Sequence, residues 1–171
     1  MPKIGISVQA AALNIPPGTF HGITLIGAVV AAVTTFLTLT AGLPAWAMFL
    51  GWVAFNTGSQ TAREGAANLA AFLLGIVFGA ATGLLIGWLT PRFGDLATPL
   101  AVFGDVVLVL SLRALPRINN PLAYFLGLIS FFAASQPPSL MLLGALAAAG
   151  VLGAIGAGIS NVLQARLARA V

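Results

Sequence analysis

Apolar residues along this chain come in long blocks without the alternation of a half-buried strand, and prolines and charges cut the blocks apart. Six stretches result, at about residues 20 to 42, 44 to 61, 66 to 90, 97 to 115, 121 to 137 and 139 to 162. Blocks of this length predict helices whose surroundings are lipid, where backbone donors and acceptors are satisfied within the helix itself. The second and fifth stretches are the shortest, and at roughly 17 to 18 residues they sit at the lower limit for crossing a bilayer. They either cross or dip in and return.

Composition agrees with a membrane solvent. Of 171 residues, 60% are hydrophobic and 6% charged, and the mean hydropathy is +1.07. A water-soluble domain carries several times more charge. Without cysteine, neither a disulfide framework nor thiolate metal ligation is available. The net charge of +4 sits in the loops, where it sets orientation and makes no case for nucleic acid. Residues 1 to 18 lack the shape of a cleavable signal, because Met1 to Pro17 carries one lysine and a weak apolar stretch broken by Asn14 and Pro16. They read as a cytoplasmic or interfacial lead-in.

The chain repeats itself. The segment from Ala47 through Phe49-Leu50-Gly51 and Phe55 to Ser59-Gln60 returns from Ala123 through Phe125-Leu126-Gly127 and Phe131 to Ser135-Gln136, with seven of fourteen positions identical. Pro44 and Pro121 open the two copies, and Gly75, Gly79 and Gly83 correspond, with a one-residue shift, to Gly150, Ala154 and Gly158. The charges then choose a topology. With six spans and both termini inside, Lys3, Arg63, Arg113, Arg117, Arg166 and Arg169 are cytoplasmic and Arg92 is alone outside. If the second and fifth stretches re-entered, the bias would fall to four against three. Three spans per copy make the repeat inverted. The expected fold is therefore all-α: one membrane domain of six helices, with repeats at 19–91 and 97–164 and a cytoplasmic tail at 165–171.

Candidate chemistry is sparse. Asp105 is the only carboxylate inside a stretch, and an ionisable group at that depth costs several kcal/mol unless it is hydrated or paired. It is a polar lining residue or solute ligand, a proton-coupling carboxylate, or a structural acid capping a broken helix. Ala28 and Val29 stand at the corresponding place in the first half, so Asp105 breaks the symmetry. Ser59, Gln60, Ser135 and Gln136 either cap helix-terminal carbonyls or line the two mouths of one pathway. Phe49, Phe55, Phe125 and Phe131 either pack or narrow such a pathway. Gly75, Gly79, Gly83 and Gly87, like Gly150, Ala154 and Gly158, form small-residue ridges suited to helix packing or to a subunit interface. His21, Trp46, Trp88 and Tyr124 read as interfacial anchors. One histidine, three acids and no recognised catalytic pattern argue against an enzyme, and no cofactor or metal site is expected.

At Trp46-Ala47-Met48-Phe49-Leu50-Gly51 with Ala54-Phe55, and again at Phe125-Leu126-Gly127 with Phe131-Phe132-Ala133, the chain resembles the YcdZ-like small bacterial inner-membrane proteins, a family of unknown function. The resemblance implies a bacterial inner membrane and brings no substrate, cofactor or catalytic residue. Two functions follow as expectations. One is a channel or transporter, homo-oligomeric in the bilayer, passing a small neutral or weakly charged solute between the repeats. The other is a non-transporting scaffold that binds a partner through its glycine-rich faces.

Overall fold

The computed structural model describes residues 17–58 and 61–169. Six α-helices occur among them: α1 (Pro17–Thr40), α2 (Ala45–Asn56), α3 (Ala62–Phe93), α4 (Ala97–Ser111), α5 (Pro121–Ala133) and α6 (Leu140–Arg169). Short 3-10 turns at Gly94–Leu96 and Leu112–Ala114 follow α3 and α4, and the described residues contain no strand. Three segments are long and apolar enough to cross a membrane: Gly18–Thr40, the nearly continuous Ala62–Ala114, and Leu140–Arg169. The lead-in residues up to Pro16, and Ser59 and Gln60, lie outside the described residues.

Local chemistry explains the helices and their ends. In α1 the hydroxyls of Thr34, Thr35 and Thr38 donate to the carbonyls of Val30, Ala31 and Thr34 four residues back, so polar side chains are satisfied without water. The helix stops where Gly42 takes a positive φ of 68°, with the Leu43 amide bonded back to the Thr38 carbonyl. At the start of α3 the Thr61 hydroxyl accepts from the Glu64 amide at 3.2 Å, in a Thr-x-x-Glu box. Asn120 caps α5 in the same way ahead of Pro121.

The short helices each sit on a long helix distant in sequence. Closest of all are α5 on α3 and α2 on α6, while α1 lies along α6 and α4 along α3. At the first crossing a methyl group added to Gly127 would overlap the Phe72 carbonyl oxygen, and one added to Gly75 the Tyr124 carbonyl oxygen. At the second, Gly51 meets the backbone of Gly150, and Gly153 the Met48 carbonyl oxygen. Only residues without side chains allow backbones this close. Farther along the same seams, Phe131 covers Gly79 and Gly83, and Phe55 covers Gly158. Gly75 faces residues 124 and 127 while Gly83 faces residue 131, so α3 and α5 run in the same direction. By the same test, Gly51 at Gly150 and Asn56 at Asn161 make α2 and α6 parallel.

Three expectations change. The second and fifth stretches are shorter helices than their apolar runs: α2 ends at Asn56 before Gly58 (φ 121°), and α5 ends at Ala133 before Ser135 (φ 50°) and two prolines. Their 12 and 13 residues measure only about 18 to 20 Å. Tyr124 is no interfacial anchor. Its side chain is fully buried, stacked on Phe78, with the hydroxyl donating to the Ile118 carbonyl at 3.0 Å. Finally, α6 continues to Arg169, so residues 165–169 of the expected tail are helical.

Candidate functional site

At one end of the bundle the C-terminus of α2 and the N-termini of α3 and α5 converge on a polar network. The Asn120 amide donates to the Thr57 hydroxyl at 2.7 Å and to the Asn68 side-chain oxygen at 3.1 Å, and the Asn68 amide donates to the Thr57 carbonyl. Asn68 is buried, so its pairing removes what would otherwise be a large desolvation penalty. Beside the network lies a cavity of about 580 Å³, whose polar lining includes Thr61, Arg63, Glu64, Arg117 and Asn119. Two further contacts tie α6 into this end: Asn161 donates to Asn56 at 2.8 Å, and Gln164 to the Ile23 carbonyl at 3.3 Å.

The opposite end holds a second cavity of mixed polarity, about 440 Å³, between the turn at Gly42–Pro44, the residues after α5 and the start of α6, with Gln136 and Ser139 in its wall. One turn inside it, on α5, the Ser130 hydroxyl is fully buried and has no hydrogen-bond partner among the described residues. Between the two ends the bundle is packed solid. Met48, Phe72, Tyr124 and Leu146 have no exposed surface, and the glycine crossings bring backbone against backbone around them.

Asp105 stands apart from this axis. It projects from α4 toward α3, where the Thr82 side chain hydrogen-bonds it, beside a cavity of about 200 Å³ lined also by Phe78, Leu85, Gly104 and Leu108. The antiparallel register of the α3–α4 hairpin, turned at Gly94 with a φ of 53°, brings the two residues together.

The other residues singled out in the sequence divide between core and surface. Phe131 is buried against Gly79 and Gly83, Phe55 and Phe125 are half-buried, and Phe49 is 44% exposed. Ser135 and Gln136 are exposed, Gln136 at the mouth of the second cavity. Gly75 and Gly150 lie in the crossings, Ala154 is buried, and Gly87 faces open space. Trp88 is exposed and carries the Arg92 guanidinium 4.5 Å over its ring, at the end of α3. Thr57, Asn68, Asn120 and Thr82 went unnoticed in the sequence. The signal available for Asn68 and Thr82 was a polar side chain inside an otherwise apolar helix.

A family model described as a protein of unknown function, DUF1097, matches residues 24–161. The chain belongs to the DUF1097 family. Neither a curated protein nor a solved structure matches it. The DUF1097 match runs from within α1 to Asn161 in α6 and so takes in both glycine crossings, both end cavities and Asp105. Together with the long apolar helices, it makes this a membrane protein of a family of unknown function.

Proposed function

We propose that this DUF1097 protein is a six-span bacterial inner-membrane channel or transporter. Its two three-helix halves are inverted, both termini are cytoplasmic, and each subunit of a homo-oligomer passes a small neutral or weakly charged solute. Within the family, the Phe-Leu-Gly segments favour the YcdZ-like branch. The inverted arrangement is supported by the crossings: Gly51 on Gly150 and Gly127 on Gly75 exchange under the same residue correspondence that relates the two copies. Full crossing by α2 is supported by its ends: Pro44 shares a cavity with Ala145 in the second turn of α6, and Asn56 bonds Asn161, about 24 Å farther along that helix.

The observation that carries the permeation reading is the pair of mixed-polarity cavities at opposite ends, with the unpartnered Ser130 hydroxyl one turn inside the second. A buried hydroxyl without a partner is a destabilised group that a hydrogen-bonding solute would satisfy. Passage would require α2 and α5 to shift along their glycine seams, because the centre is closed. That closed centre favours the second reading, a scaffold whose rigid bundle docks a partner.

Solute flux separates them. Purified protein in liposomes is expected to pass at least one of urea, formate, ammonia and glycerol faster than empty liposomes, with Ser130→Val slowing it several-fold. If none of these passes faster through folded, reconstituted protein, the scaffold stands.

A further inference from the structure

The α3–α4 hairpin places a carboxylate where the described residues offer it no counter-charge. Thr82, which bonds Asp105, lies ten residues before Arg92. That spacing is ~15 Å of helix, or half of a ~30 Å hydrocarbon core. Asp105 thus sits near mid-bilayer. Its cavity opens on the outer face of the bundle: neighbouring Phe103 is 70% exposed, and a side chain added at Gly104 would meet nothing within 4 Å. Among the described residues every arginine lies in a loop, in a 3-10 turn, or in the first or last turn of a helix, so none of them, in this chain or in a second copy, reaches that depth. An ionised carboxylate there is costly, and the positive charge that offsets it comes from outside the chain, as a proton or as a bound mobile cation.

The walls indicate which cation. One carboxylate and one hydroxyl supply too few oxygens for a bare hard metal ion, which takes about six or more. The remaining wall is the Phe78 ring with alanine, leucine and glycine, suited to a hydrocarbon body and to cation–π contact. A cavity of about 200 Å³ holds a molecule of only a few heavy atoms. We propose that Asp105, Thr82 and Phe78 form a binding site for a small primary alkylammonium ion, its ammonium head on Asp105 and Thr82 and its alkyl body between α3 and α4. The site lies outside the two glycine seams, α3–α5 and α2–α6, and outside both end cavities, so it is independent of the permeation reading, and absence of solute flux would leave it intact.

Calorimetric titration of ethylammonium chloride into the full chain in lipid nanodiscs tests this, with ethanol as the neutral control. Saturable one-site binding is expected for ethylammonium and none for ethanol. Asp105→Asn, which keeps the Thr82 hydrogen bond, is expected to abolish binding, and Thr82→Val to weaken it about tenfold. Gly104→Leu, which fills the mouth without touching the acid, is expected to block it and serves if Asp105→Asn misfolds. No saturable binding by the folded wild-type protein, or unchanged affinity in Asp105→Asn or Gly104→Leu, overturns the site.

Discussion

At Gly127 there is no room for a single methyl group, because the position it would take is occupied by the Phe72 carbonyl and lies 2.8 Å from the Gly75 Cα. Backbone atoms in two packed helices cannot swing aside as a side-chain tip can, so the helices themselves must separate. Gly127→Ala should therefore lower stability by about 1–3 kcal/mol, as overpacking in a tight core does. The same substitution at Gly87, where nothing lies within 4 Å, should be neutral or stabilise by up to about 1 kcal/mol through helix propensity. Thermal unfolding midpoints in one detergent compare the two directly, and equal shifts would mean that α3 and α5 do not cross at this glycine. Asn120 gives a second residue-scale outcome. Its amide serves both Asn68 and Thr57, so Asn120→Ala should destabilise by about 1–3 kcal/mol, whereas Asn119→Ala on the exposed neighbour should leave the midpoint nearly unchanged.

Among the elements, α2 and α5 depend most on others, since 12 and 13 residues are marginal as isolated helices. Their anchorage is glycine contact plus a few polar ties, of which Asn56 to Asn161 joins α2 to α6. Removing one partner strands the other amide in a half-buried site, whereas replacing both by leucine leaves nothing stranded. A double-mutant cycle should thus give a coupling of about 1 kcal/mol, with the Asn56→Leu/Asn161→Leu pair less damaged than the sum of the single variants. A coupling near zero would indicate that the two side chains do not meet. The existence of both short helices was legible in the sequence because Pro44 and Pro121 open their apolar runs, as was the small-residue character of the seams. Their C-terminal limits were not, because apolar content continues through Ala133-Ala134 while Ser135 adopts a positive φ that composition does not announce. Tyr124 was misplaced for a related reason: an amphipathic ring reads as interfacial unless its partners, Phe78 and the Ile118 carbonyl, are known to lie beside it. The Thr57, Asn68 and Asn120 network escaped notice because its members are up to 63 residues apart and meet only once α2, α3 and α5 are packed.

For the molecule as a whole, charge and packing point to the same two ends. Arg63 and Arg117 line one cavity, beside the Asn120 cap, while Arg92 lies at the turn into α4 with Asp95 close by. If cationic residues stay cytoplasmic, the first end faces the cytoplasm and the turn after α3 faces outward. The chain has no cysteine, so single introduced cysteines report position without background. Asn119 and Asp95 are both exposed. In right-side-out spheroplasts, a membrane-impermeant maleimide should label Asp95→Cys at once. Asn119→Cys should react only after the membrane is permeabilised. A re-entrant α2 would reverse both results, because α3 would then run inward and the turn at Asp95 would face the cytoplasm. The reversed pattern would remove the inversion of the two halves, and with it the reason for treating the cavities as opposite mouths of one path.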